Sequence, residues 1–145
     1  MKGLNMKRNG MLHLYIGNGK GKTTAATGLA IRALGWNLNV LFAQFLKTSD
    51  TGEKSAFESF AGKLQFFRPE QRHNKFLWNM TKNELLETKE DIQRGWQKIR
   101  TEILSGSYDV VILDEILDCI QCELLNPQQV LKCILERPNN VEIVC

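Results

Sequence analysis

A chain of 145 residues, 43% hydrophobic and 24% charged, has the size and composition of one globular domain that folds without disulfides and buries roughly 68% of its unfolded surface. Its net charge of +3 is concentrated at the start, where Lys2, Lys7 and Arg8 stand without an acid. The remainder holds 16 basic and 16 acidic residues, which argues against the broad basic face of a nucleic-acid binder. No run approaches the roughly 18 apolar residues that span a bilayer, and residues before Met11 lack the apolar core of a signal peptide. The expectation is a cytoplasmic protein with reduced cysteines and neither nucleic acid nor membrane as partner. Residues 1–10 are read as a flexible basic tail and residues 11–145 as a single domain.

Along the chain, Leu12 to Thr24 reads as a strand, a glycine loop and a helix start, the arrangement that grips a nucleoside triphosphate. The loop departs from the common G-x-x-x-x-G-K-[ST] pattern: Ile16 occupies its first position, and glycine appears one residue later. Gly17, Asn18, Gly19, Lys20, Gly21, Lys22, Thr23 and Thr24 form a G-x-G-x-G-K-T-T loop with an extra lysine inside the turn. Its backbone N–H groups and the helix N-terminus face phosphate, Lys20 and Lys22 supply charge, and Thr23 holds Mg²⁺. The helix runs from Thr23 to Leu34 and stops at Gly35.

Asn39 to Phe45 predicts a second strand, and the stretch from Lys47 to Gly52 a polar loop. Leu64–Phe67 predicts a third strand ending before Pro69, and Arg68 to Met80 shows no clear period. Thr81-Lys82-Asn83-Glu84 is a capping box, after which Leu85, Ile92, Trp96, Ile99 and Ile103 recur at helical spacing until Gly106. Val110 to Leu113 is a continuous aliphatic run, the mark of a buried parallel strand. It delivers Asp114 and Glu115 to its carboxyl end, where in P-loop proteins an acid holds Mg²⁺ opposite the loop hydroxyl; a pair of helix-starting acids is the plainer reading. Asn126-Pro127 caps a helix to about Glu136, and Val141–Cys145 is a fifth strand.

Strands alternating with helices predict an α/β fold, a parallel sheet with helices on both faces and ligands at the strands' carboxyl ends. Cys119-x-x-Cys122, with Cys133 and Cys145, is a conceivable four-sulfur metal site, but two thiols on one helix face need no metal. His13 is read as structural or exposed, and His73 is assigned no role.

Tyr15 to Ala26, Gly28 and Arg32-Ala33-Leu34-Gly35 closely resemble the P-loop class of ATP:corrinoid adenosyltransferases. Gln44 to Lys47, Gly52-Glu53 and Asp109 to Glu115 continue the match in order over nearly the whole chain. The resemblance implies a P-loop NTPase-like (RecA-like) sheet of about five strands. It also implies transfer of the 5′-deoxyadenosyl group of ATP to Co(I) of a corrinoid, with triphosphate leaving. ATP is then the co-substrate, bound by Gly17 to Thr24 and by Arg32, with Mg²⁺ on Thr23, Asp114 and Glu115. Lys22, Lys20 and Glu115 are the catalytic candidates, and Phe76-x-Trp78 resembles the aromatic pair that lines the family's corrinoid pocket. A flavin-type electron-donor protein is implied as a partner. Family members continue past the last strand with a T-G-R-like turn and a further segment, so relative to them this chain reads as C-terminally truncated, with apolar surface exposed at the last strand and a homodimer expected. The alternatives are a P-loop kinase or NTPase in which Glu115 orients a water, and a nucleotide- or corrinoid-binding module without turnover.

Overall fold

The computed structural model describes residues 8–60 and 62–145. Five parallel strands, β1 (Leu12–His13), β2 (Val40–Gln44), β3 (Leu64–Phe67), β4 (Val110–Asp114) and β5 (Glu142–Val144), form one sheet in the order β1-β5-β4-β2-β3. Five helices connect them: α1 (Lys22–Gly35), α2 (Gly52–Phe57), α3 (Lys82–Ser105), α4 (Ile116–Gln121) and α5 (Pro127–Glu136). The expected α/β architecture, with a P-loop NTPase-like parallel sheet, is present.

Strand residues alternate between two cores because successive side chains leave opposite faces of a strand. Leu41, Ala43, Val111, Leu113 and Ile143 pack against α3, α4 and α5. Val40, Phe42, Val110, Ile112 and Val144 pack against α1 and the region of Phe57. Helices therefore cover both faces, which is why β2 and β4 are buried along their whole length and apolar up to their final residues, Gln44 and Asp114, rather than alternating. On α1 the buried residues are Ala26, Ala30 and Ala33, a stripe of methyl groups that brings this helix close to the sheet.

The longest helix, α3, begins and ends as its sequence dictates. Thr81 and Glu84 form the reciprocal capping box, and Gly106 closes the helix at φ 71°. Gly95 in its middle is required by packing, since a Cβ there would lie 2.5 Å from the Pro69 side chain. The segment after β3 is tied to this helix by charge: Arg72 binds Asp91, which is almost wholly buried, and Glu90, while His73 Nε2 and Glu87 Oε2 lie 2.5 Å apart. Arg72 and its hydrogen bonds hold the Asp91 carboxyl below the usual carboxylate range against the opposing effect of burial. The stretch that showed no period is thus an ordered strap whose structure comes from long-range ion pairs.

The structure departs from the sequence reading in several places. The polar loop expected over Lys47 to Gly52 gives way at Gly52 to elements the sequence reading left unassigned, α2 and a 3₁₀ turn over Glu58–Phe60, anchored by Phe57 between Phe42 and Phe66. The last strand does not carry the exposed apolar surface: β5 lies between β1 and β4 with Ile143 and Val144 buried. At this side of the sheet the exposed apolar side chains are those along the β1 edge, Met11, Leu12, Leu14 and Ile16. Of the expected basic tail, residues 1–7 lie outside the described residues. Arg8 is within ion-pair distance of Asp109 and Glu142, and Gly10 is hydrogen-bonded to Asn139 and Arg137, so these residues lie against β5. No described helix is long and apolar enough to cross a membrane.

Candidate active site at the carboxyl edge of the sheet

The glycine loop leaves β1 and enters α1 through Gly21, whose φ of 110° and that of Gly17, 138°, lie in the region that strains any side chain. This explains the placement of glycine one residue late: the backbone reverses at Gly17 itself. The N-terminus of α1 has no side-chain cap and no acid in its first turn, in contrast to α3. Its free N–H groups and the positive end of the helix dipole are left for an anion. Lys22 Nζ is folded back into the loop, donating to the carbonyl oxygens of Gly17 at 2.5 Å and Gly19 at 2.9 Å. Asn18, Lys20 and Thr24 are exposed around it.

Across from the loop, β4 ends at Asp114, and the two meet as the sequence predicted. Thr23 Oγ1 donates to the Asp114 carboxylate, 3.0 Å from both oxygens. A hydroxyl and a carboxylate converging in this way are a hard-oxygen donor set suited to Mg²⁺. The position also tolerates positive charge, because the Lys47 ammonium lies 3.2 Å from Thr23 Oγ1 and 3.3 Å from Asp114 Oδ2. These residues therefore fit the expected cation.

Sequence reasoning did not foresee the support behind Asp114. Gln44, the last residue of β2 and fully buried, is the register partner of Asp114 in the adjacent strand. Its Nε2 donates to Asp114 Oδ2 at 3.0 Å and to Glu53 Oε1 of α2 at 2.8 Å. Its Oε1 accepts from Arg68 Nε at 2.9 Å and Nη2 at 2.5 Å. Arg68 in turn donates to Ser49 O and Thr51 Oγ1, pinning the stretch between β2 and α2. Every polar atom of the Gln44 amide is thus used, which fixes the amide orientation and, through it, that of the carboxylate.

Glu115 follows Asp114 at φ 67°, a conformation a β-carbon disfavours and one that clusters at functional sites. Its carboxyl is pushed up to about 7, chiefly by a hydrogen bond with Asp118, then by burial and by the neighbouring negative charges, against the pull of Lys47. Glu115 and Asp118 line a cleft of about 180 Å³ with Tyr15, Asn18, Lys22 and Cys145. The shift predicts a stability signature when divalent cations are chelated. Between its usual value of 4.5 and about 7 the folded protein holds a proton that the unfolded chain has lost. The stabilisation is therefore complete below the lower value and disappears as pH rises through the upper one. Urea unfolding in chelator at about pH 5.5 and about pH 8 should show this fall, and Glu115→Gln, whose amide stays neutral, should flatten it. An equal fall in the variant would refute the assignment.

Other candidates separate from this cluster. Arg32 is exposed in the last turn of α1, about 15 Å along the axis from Lys22, and the structure does not bring it to the loop. Phe76 and Trp78 stack face to face, with ring centroids 4.6 Å apart and planes 4° from parallel, and are 66% and 78% exposed. They stand on the strap that Arg72 and His73 tie to α3 and that the Thr48–Asn74 hydrogen bond joins to the loop after β2. They form an apolar platform at the surface rather than packing beneath the loop. His73 is held by Glu87 and His13 by Glu142, consistent with structural roles. The cysteines do not assemble: Cys119 and Cys133 are core residues with thiols raised by burial, Cys122 is exposed, and no metal-binding group of three or more His, Cys, Asp or Glu occurs among the described residues.

Comparison with known proteins agrees with this geometry. The family model described as ATP:corrinoid adenosyltransferase BtuR/CobO/CobP matches residues 8–145. A corrinoid adenosyltransferase of Escherichia coli K12 is 32% identical over 136 residues, covering 93% of this chain and 66% of that protein. The corrinoid adenosyltransferase CobA of Salmonella typhimurium is 30% identical over 139 residues, covering 95% of this chain and 67% of its own length. An uncharacterized Nostoc protein is 31% identical over 142 residues, which cover 92% of this chain but 37% of that protein. The chain thus spans about two thirds of the length of the enzymes it matches, and less of the Nostoc protein.

Proposed function

Because this chain belongs to the ATP:corrinoid adenosyltransferase family, we propose that it transfers the 5′-deoxyadenosyl group of ATP to the Co(I) centre of a corrinoid, releasing triphosphate. The observation that carries this reading is the meeting of the G-N-G-K-G-K-T-T loop with Asp114 through Thr23. In the reaction a cobalt–carbon bond forms at C5′ as the bond from C5′ to the triphosphate oxygen breaks, the electron pair of the new bond coming from the reduced cobalt. The nucleophile belongs to the substrate, so the protein supplies no Ser, Cys or His for this step. Its task is to align C5′ with the metal and to stabilise charge on the departing triphosphate.

The residues divide that task. The loop amides and the uncapped start of α1 receive the triphosphate oxygens, with Lys22 turning from its own carbonyls onto them and Lys20 adding charge at the rim. Thr23 and Asp114 would hold Mg²⁺, with Glu115 beside them; bound there, the ion neutralises part of the leaving group's charge. Gln44, Arg68 and Glu53 keep the Asp114 carboxylate aimed. Phe76 and Trp78 offer an exposed aromatic face suited to the large apolar rim of a corrinoid. Residues from about Met11 onward act as one domain, in a cytoplasmic protein served by a flavin-type electron donor. A homodimer would use the exposed β1 edge.

The test is incubation with MgATP and a chemically reduced corrinoid. The expected products are an adenosylated corrinoid and triphosphate, whereas ADP and phosphate without a cobalt–carbon bond would overturn the proposal. Within it, Trp78→Ala should leave ATP binding unchanged by calorimetry and slow corrinoid adenosylation by roughly tenfold or more, the ring contributing about 1–3 kcal/mol by analogy with stacked aromatics. An unchanged rate with Co(II) or pre-reduced corrinoid would remove Trp78 from the site.

A further inference from the structure

The three residues expected to gather a divalent cation already surround a cation of the chain itself. Lys47 Nζ is 3.2 Å from Thr23 Oγ1, 3.3 Å from Asp114 Oδ2 and 3.9 Å from Glu115 Oε1. The backbone is shaped to put it there. β2 ends at Gln44, the Phe45 N–H continues the pairing by donating to Asp114 O at 3.0 Å, and Leu46 then adopts φ 58°, a left-handed turn costly for a residue with a β-carbon. The turn brings Lys47 to the carboxyl ends of β2 and β4, with its side chain 27% exposed.

An ammonium and a divalent ion cannot share these oxygens, because their mutual repulsion at such separations is strong. We propose that Lys47 is an internal counter-ion that occupies the cation position between Thr23, Asp114 and Glu115 while the nucleotide is absent. It yields that position to the divalent cation arriving with the triphosphate, and its ammonium moves onto the triphosphate oxygens. This rests on the reading that Thr23 and Asp114 carry the cation. The flexible four-carbon stem of lysine allows the swing without moving the backbone. A bare divalent ion must evict the ammonium with no anion to receive it. An ion accompanied by triphosphate supplies that anion, so the metal and the nucleotide enter with positive coupling.

The experiment compares the full chain with Lys47→Met, Lys47→Gln and Lys47→Arg, each checked for folding by circular dichroism. Mn²⁺ binding without nucleotide is measured by electron paramagnetic resonance and MgATP binding by calorimetry. Both neutral variants should bind bare Mn²⁺ about tenfold more tightly and MgATP more weakly, while Lys47→Arg stays close to the parent. A purely structural contribution of Lys47 would move both affinities in the same direction. If Asp114→Asn weakens Mn²⁺ binding but neither neutral variant tightens it, the counter-ion role is wrong and the metal reading stands. If Mn²⁺ binding ignores Asp114→Asn in every background, both fail.

Discussion

Lys22→Ala is expected to lower kcat/KM for adenosyl transfer by at least about 10²-fold, the scale on which preorganised charge-stabilising groups act. The side chain does two things that alanine cannot. It bridges the carbonyls of Gly17 and Gly19, holding the turn in its observed shape. On the proposed reading its ammonium turns onto the triphosphate, whose negative charge grows as the bond to C5′ breaks. Because its present hydrogen bonds are solvent-exposed, thermal stability should change by no more than about 1 kcal/mol. Single-turnover adenosylation and ATP calorimetry give the two readouts, and a kcat/KM within threefold of the parent would exclude Lys22 from the reaction.

Asp114→Asn should be comparably damaging for a different reason. Oδ2 of Asp114 accepts from Thr23, Gln44 and Lys47 at once. An asparagine either turns its NH₂ toward those donors, leaving them unpaired, or turns its oxygen toward them and still leaves the Lys47 ammonium without a carboxylate. The loss expected is on the order of 10²–10³ in rate, with about 1–3 kcal/mol of stability. Raising Mg²⁺ should recover part of the rate if the defect lies in cation affinity; a variant with parental rate at low Mg²⁺ would refute the role given to Asp114.

The portion of the site legible in the sequence is the portion whose partners are local. The loop, the helix after it and the acids after an aliphatic strand each declare themselves within a dozen residues, so the meeting of Thr23 with Asp114 follows from the P-loop pattern. Gln44, Arg68 and Lys47 were not legible as site residues. Gln44 faces Asp114 only because β2 lies beside β4 in the sheet, and Arg68 reaches Gln44 only because β3 lies beside β2. Nothing in their local sequence encodes those neighbours. The omission of α2 has a similar cause. A helix of six residues has no stable nucleus of its own and is held by Phe57 in the aromatic group with Phe42 and Phe66. Arg32 is the opposite case, placed by its motif near the nucleotide and by the structure at the far end of α1 from the loop. The apolar surface expected at the last strand came from the resemblance, whose members continue past it, whereas sheet order places β5 between β1 and β4.

The alanine stripe of α1 gives the site a remote tolerance. Ala26, Ala30 and Ala33 set how closely this helix rides on the sheet, and Lys22 and Thr23 sit at its loop end like the tip of a lever. A valine at position 30 adds two methyl groups to a fully buried contact, and a close-packed interior answers by shifting elements by fractions of an ångström. Such a shift is small for the fold but large for the 3.0 Å contact between Thr23 and Asp114. Variation in this buried stripe, with no polar atom involved, would therefore surface first as altered appetite for metal and nucleotide, before any loss of folded protein.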